Sequence, residues 1–542
     1  MQLSKVGLSN KDIWEEKKFI LPKFNLDKIK NNTKENPIWI HFGAGNIFRA
    51  FHGNLFQGLL DKNKIDKGLI VVEGYDYEII DKINKPYDDL SILVTLKSSG
   101  EIEKKVIGSI VESLTLDRDN SLDFNRLKEI FINKSLQVVS FTITEKGYNI
   151  SDNKGQVLEA IKVDLENGPD KAKSYLGKIA SLIYERYKAG MLPISMVSMD
   201  NCSSNGYKLY EAIKIFASGW VENKLVDSEF LNYINNEKLV AFPWTMIDKI
   251  TPRPDEKIEE ALKNDGVENI SPIITQKNTY IAPFINAEEL EYLVIEDLFP
   301  NGRPNGLEEL GVIFTDRETV KKAEKMKVCT CLNPLHTTLA VFGCLLGYKL
   351  ISEEVKDPIL NKLINNIGYI EGIPVVENPK ILNPKEFLSD VINVRLTNPF
   401  IPDTPQRIAT DTSQKIAIRF GKTIKEYENS KSLNVDDLKF IPLVLAGWLR
   451  YCIGIDDNGN EFDLSPDPLI NFIKPIINKF EIGKKELNIE EVLSPILSRE
   501  DIFGVDLYKN NLSKKIINYF EEMIASKGAV YETLKKYVEG EA

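Results

Sequence analysis

The stretch that decides the fold is WIHFGAGNIFRA, residues 39–50. An apolar run of strand length ends at Gly43, a G-x-G turn follows, and a helix-like pattern begins behind it. Each part has a physical use. Gly43 permits a tight turn, Gly45 lets a pyrophosphate approach the backbone, and the helix amino end offers unpaired N–H groups and a positive dipole end. Asn46, Phe48 and Arg49, just behind the glycines, are further candidates for holding a dinucleotide. The third glycine of the usual fingerprint is missing, because Phe48 stands in its place. A lone G-x-G also marks plain strand–helix turns, so its position at the first strand of an α/β pattern is what gives it meaning.

Outward from this turn the chain alternates. Ile38–Phe42, Leu69–Val72, Leu136–Phe141 and Pro193–Met199 are strand-length apolar runs, and helical patterns such as Ile47–Leu60 and Lys171–Tyr187 follow several of them. That alternation predicts a mostly parallel sheet covered on both faces. Ile92–Leu96 and Lys105–Val111 have no helix between them and read as an antiparallel insertion or edge. From about Glu288 the periodicity becomes helical, as in Val320–Tyr348, Phe440–Tyr451 and Leu512–Ile524. The expected fold class is α/β: a Rossmann-like dinucleotide-binding domain at 1–290, followed by a mostly α-helical domain at 291–542.

The second strand runs on through Glu73, Gly74 and Tyr75 to Asp76. An acid there accepts both ribose hydroxyls of NAD and repels the 2′-phosphate of NADP. Asp76 is the first candidate and Glu73 the reserve; a solvated turn acid is the competing reading of each. NAD is the expected cofactor, with NADP left open.

Composition narrows the function classes. The 542 residues carry 69 Lys+Arg against 80 Asp+Glu, a net charge of −11, with no basic block. That balance argues against nucleic acid and against anionic membrane surfaces as partners. The amino terminus lacks the apolar core of a signal peptide, and the longest apolar stretch, around Leu339–Leu350, is shorter than a membrane span. Five cysteines form no disulfide framework, so cytoplasmic residence is expected. Cys329, Cys331, Cys344 and His336 do not match zinc spacings, and no metal is expected.

Ligands of open α/β sheets gather beyond the carboxyl ends of strands. Two such ends here are polar: one leads into Glu145, a possible proton relay, the other into Asp200 and Asn201, where a carboxamide can donate to a substrate oxygen. A helix cap is the competing reading of Asp200 and Asn201. Asp248 to Pro254 reads as a turn that projects charge. Of the three histidines, His41 and His52 lie in the first strand and helix and read as packing residues; His336 shares a helix face with Asn333, three residues earlier.

In chain order, the segments GAGNIFRAF (43–51), TITEKGY (142–148), SMDNCSSNG (198–206), FPWTMIDKITP (242–252), VIEDLFPNGRP (294–304), LNPLH (332–336) and NPFIPDTPQRIATDTSQKI (398–416) resemble the polyol-specific long-chain dehydrogenases along nearly the whole chain. That family includes mannitol 2-dehydrogenase and the hexuronate reductases. The resemblance implies hydride transfer between NAD(P) and a small sugar acid or polyol without zinc. By it, Lys327 is the general acid/base, Asn201 and Asn333 form the oxyanion hole, and His336, Asp248, Arg407 and Lys415 hold the substrate. Glu145 would link the lysine to solvent. A monomer or small homo-oligomer is expected.

One departure from the family matters. Its spacing is K-x4-N-x2-H, whereas Lys327 to Asn333 is K-x5-N. On a regular helix at about 100° per residue, the extra residue swings Lys327 to about 180° from His336, against about 80° in the family pattern. A π-bulge absorbs one residue and restores the register. One is predicted within Val328–Leu332; were that stretch regular, Lys415 would become the candidate base. The string KMKVCTCLNPLHTTLAVFG most resembles the branch that interconverts D-fructuronate and D-mannonate. Tagaturonate reduction and mannitol oxidation are the enzymatic alternatives, and a non-catalytic nucleotide- or sugar-acid-binding protein is the alternative of another class.

Overall fold

The computed structural model describes residues 1–152, 155–484 and 488–540. They form two compact units, Met1–Lys97 with Glu101–Lys321, and Ser98–Gly100 with Lys322–Ala542.

The first unit is built on a six-stranded, wholly parallel sheet: β1 (Trp39–Phe42), β2 (Leu69–Glu73), β3 (Ile110–Thr115), β4 (Val138–Phe141), β5 (Ile194–Ser198) and β6 (Val240–Ala241), in the order β3-β2-β1-β4-β5-β6. This is the strand order of dinucleotide-binding folds, with the order reversing beside β1. The β-branched and apolar runs are continuous because both faces are covered. Ile40, Phe42, Ile70, Val72, Val139, Phe141 and Met196 enter one core, while Trp39, Leu69, Val71, Val138 and Val197 enter the other.

One expectation is corrected here. The run Lys105–Val111 is not one strand: Ile102–Ile107 pairs antiparallel with Ser91–Leu96 in a four-stranded side sheet, and β3 begins at Ile110 as the parallel edge of the main sheet. Gly108 and Ser109 make the break, with the Gly108 N–H held by the Gln57 carboxamide at 2.9 Å. Thr245–Asp248, Tyr292–Glu296 and Val312–Thr315 form a three-stranded sheet within the first unit, which runs to Lys321.

Helices dominate the second unit. The helical run Arg317–Leu346 is long and apolar enough to cross a membrane by composition, with a mean hydropathy of 1.4, but 78% of that window is buried inside the protein, as in a core helix. Near its end the Glu354 carboxyl lies fully buried against Gly343, where an added Cβ would come within 1.8 Å of Glu354 Oε2. Neither carboxyl oxygen has a hydrogen-bond partner among the described residues, and burial pushes the group well above the usual carboxylate range. The folded chain therefore holds a proton that the unfolded chain releases above about pH 4.5, and stability falls as pH rises beyond that value. Glu354→Gln removes the titration. Its thermal midpoint should exceed that of the parent by a margin that grows between about pH 5 and 8, worth about 1–3 kcal/mol; a pH-independent difference would refute this.

Candidate active site

In the first unit the site begins at the glycine turn. Gly43 has φ +117°, and its N–H bonds Val72 O at 2.8 Å, so the turn closes onto β2. An added Cβ there would sit 2.3 Å from Thr142 O, which only glycine avoids. Over Gly45 nothing lies within 4 Å of the Cβ position, which leaves the backbone open to a ligand. Behind it the helix enters through a π turn, Phe48–His52, before α1 (Gly53–Asp61). Phe48 is fully buried and stacks on His41 at 4.1 Å between centroids, replacing the close backbone packing of the missing third glycine. His41 is itself a packing residue: its ring nitrogens meet Ser140 Oγ at 2.6 Å and Thr142 Oγ1 at 2.8 Å, and burial holds the imidazole well below its usual pKa.

Arg49 is 2% exposed, and only neutral groups satisfy it, Ala282 O at 2.9 Å and Asn46 Oδ1 at 2.8 Å. Its Nε has no hydrogen-bond partner among the described residues, and burial lowers the guanidinium to about 9. Of the two acids after β2, Glu73 sits at the strand end and accepts from Ala44 N–H at 2.9 Å and Tyr75 N–H at 2.8 Å, bridging the glycine turn to the next turn. Asp76 lies beneath, 2% exposed, accepting from Thr275 Oγ1 at 2.5 Å.

The ends of β4 and β5 are tied by a residue whose role sequence reasoning did not find. The Asp200 carboxylate accepts from Ile143 N–H and Thr144 N–H, both at 2.9 Å, and from the Tyr148 hydroxyl at 2.6 Å. Asp200 is therefore a brace between two strand-end loops rather than a cap for α2 (Asn205–Glu222), whose N-cap Ser204 makes no side-chain bond. Burial, then the Asp200 charge, pushes the Tyr148 phenol well up. Asn201 and Glu145 are exposed in these loops, and Glu145 ion-pairs with Lys208. Asp248 ends a strand, Thr245–Asp248, and is 5% exposed, so it does not project from a turn as expected.

In the second unit, α3 (Arg317–Met326) passes through a π turn at Lys327–Cys331 into α4 (Asn333–Leu346). The Leu332 N–H bonds Lys327 O at 3.1 Å, five residues back, and Leu332 itself leaves helical geometry at φ −121°. The extra residue of the K-x5-N spacing is taken up here. Lys327 is 2% exposed. Burial pushes the nearby Cys331 thiol up to about 12, which leaves it un-ionised near neutral pH.

Asn333 opens α4, and His336 follows on the same face, its Nε2 3.2 Å from Asp403 Oδ2. The other oxygen of Asp403 ion-pairs with Arg407. Burial pushes the Asp403 carboxyl up, but His336 and Arg407 more than offset this and hold it below its usual value. Lys415 bonds Thr410 O, and burial followed by the charge of Arg419 lowers its pKa. Arg419 lies in a second π turn, Ala417–Gly421, which packs against the Lys327 turn, and it donates to Thr337 beside His336. Sequence reasoning missed Asp403 and Arg419. Each lies four residues from a cation it did find, Arg407 and Lys415 respectively, and that spacing was the available signal.

Known proteins resemble the chain over its whole length. The family descriptions Mannitol dehydrogenase Rossmann domain and Mannitol dehydrogenase C-terminal domain match residues 37–305 and 319–524. A protein of Thermotoga maritima named D-mannonate oxidoreductase is 52% identical over 540 residues, covering 99% of each chain. A protein of the same name from Escherichia coli is 28% identical over 477 residues, 87% of this chain and 90% of its own. Among solved structures, Pseudomonas fluorescens mannitol 2-dehydrogenase in a ternary complex with NAD and D-mannitol superposes with a TM-score of 0.69 at 25% identity, covering 100% of both chains. With its parallel nucleotide-type sheet, its helical second unit and these matches, the chain belongs to the mannitol dehydrogenase family.

Proposed function

We propose that this protein is an NAD-dependent oxidoreductase that interconverts D-mannonate and D-fructuronate, with a lysine rather than a metal handling the proton. The observation that carries the substrate assignment is the 52% identity, sustained over 540 residues, to a protein named D-mannonate oxidoreductase. The small-molecule partner is accordingly a sugar acid, with polyols as the wider class.

The residues at the glycine turn suit NAD. Arg49 is a buried cation whose Nε lacks a partner, and the dinucleotide's pyrophosphate would supply the missing charge. Gly43, Gly45, Asn46, Phe48 and Arg49 shape that position. Asp76 is the acid for the ribose hydroxyls, with Glu73 the reserve: Asp76 accepts from Thr275, while Glu73 already accepts from the backbone N–H groups of Ala44 and Tyr75. When bound, the nicotinamide gives or takes the hydride.

Every other step falls to side chains. Lys327 gives its proton to the ketone oxygen as the substrate is reduced, and takes it back in the reverse direction. The carboxamides of Asn201 and Asn333 donate to the same oxygen and stabilise its growing charge. His336, Asp248, Arg407 and Lys415 hold the sugar acid, with His336 and Arg407 held in place by Asp403. Glu145, exposed at its loop, returns protons from solvent.

The test is NADH oxidation with D-fructuronate, D-tagaturonate and D-fructose, run side by side. Fructuronate should give the highest kcat/KM. Preference for tagaturonate or fructose would move the assignment to the other enzymes of the family. Tight NADH binding without oxidation by any of the three would make the protein a binder and overturn the reading.

A further inference from the structure

The buried and half-buried arginines divide by what they bond. Arg186 makes five hydrogen bonds to backbone carbonyls, from Phe131 to Pro193, at 2.5–3.1 Å. Arg450 makes three, to Met523 O, Ile455 O and Asp456 O. Arg118 makes four, three of them to carbonyls. Such arginines are finished: their donors are spent on the fold, which is what a buried guanidinium requires.

Arg419 is not finished. Its only hydrogen bond among the described residues is from Nη1 to the Thr337 hydroxyl, and it forms no ion pair there. Nε and Nη2, the edge suited to a bidentate oxyanion, are unused. Burial lowers its pKa to about 10. The other under-bonded guanidinium described above, the buried Arg49, stands at the glycine turn. Both lie in π turns, the wide turns that re-aim a side chain. The Arg419 turn packs against that of Lys327, its bonded partner Thr337 follows His336, and Lys415 stands four residues earlier. Arg407, by contrast, is largely exposed and already paired with Asp403.

We propose that Arg419 receives the carboxylate of the sugar acid and sets the preference for sugar acids over neutral ketoses. The inference rests on the functional reading above and names the residue that reads the charged end of the substrate. Lys415 adds a second positive charge, while Arg407 and Asp403 together present a nearly neutral pair to the hydroxyls.

The experiment compares D-fructuronate with D-fructose, which has a hydroxymethyl group in place of the carboxylate, on the parent enzyme, Arg419→Gln and Arg419→Lys. Calorimetric titration of the same proteins with D-mannonate and D-mannitol supplies a readout independent of turnover. In Arg419→Gln the kcat/KM ratio of fructuronate to fructose should fall about ten- to a hundredfold, with the mannonate Kd rising in step. Arg419→Lys should fall between, since it keeps the charge and loses the planar fork. An unchanged ratio overturns the proposal, whether both rates drop together or neither moves. Where Arg419→Gln does not fold, the lysine variant decides on the same criterion. Failure of the functional reading looks different: the parent enzyme itself would neither reduce fructuronate nor bind mannonate.

Discussion

Lys327→Ala should lower kcat/KM by about 10²–10⁴-fold while leaving the Kd for NADH within about twofold of the parent value. The magnitude is that of a lost general acid. Its argument begins with one residue too many. A regular helix from Lys327 to His336 would put the two side chains on opposite faces, and the π turn at Lys327–Cys331, closed by the Leu332 N–H on Lys327 O, removes that conflict. The lysine is also 2% exposed, so its ammonium stands out of bulk water. A structural lysine would be costly to truncate too, so the decisive readout is chemical rescue. Small primary amines added to Lys327→Ala should restore part of kcat, and more so for amines whose basicity approaches the working pH. Full activity in the alanine variant, or loss that no amine restores alongside a lowered thermal midpoint, would remove Lys327 from the chemistry.

The π turn was legible because it had to reconcile two spacings within a few residues. Its counterparts at Phe48–His52, Ile80–Asn84, Asn366–Gly372, Val391–Arg395 and Ala417–Gly421 left no such trace, since nothing in the sequence fixes which face those helices must present. The main sheet was legible for a similar reason. Strands buried on both faces have to be apolar throughout, and β1, β2, β4 and β5 fall within a residue or two of the runs that announced them. β3 was hidden because its run merges with the preceding edge strand across Gly108, where only the fold shows a change of sheet. Among the candidate site residues, those with local signatures are the glycine turn, the strand-end acids and the Asn333 and His336 pair. Asp403 and Arg419 act through groups far off in sequence, His336 and Thr337, and no local pattern records a contact of that kind. The contact of Thr275 with Asp76 is of the same kind, arriving from about 200 residues away.

Removing either carboxamide should cost about 10²–10³-fold in kcat, the scale known for an oxyanion-hole donor, with little change in KM. The two asparagines are held by unrelated means, which makes the comparison informative. Asn333 is the first residue of α4, fixed by the helix it begins and by Pro334 behind it. Asn201 lies in an exposed loop whose neighbour Asp200 is anchored by three hydrogen bonds to the adjacent strand-end loop. If both donate to one developing oxyanion, each works best when the other is present, so Asn201→Ala/Asn333→Ala should lose clearly less than the product of the single losses. Losses that multiply would mean the two groups act on different atoms, and the shared oxyanion hole would fall with them. Asp200→Asn adds the control for placement: it keeps Asn201 but weakens the brace, and should lower kcat by a smaller factor than Asn201→Ala while making the Asn333→Ala loss smaller in that background. A brace that matters only for folding would instead lower the thermal midpoint and spare kcat in the protein that remains folded.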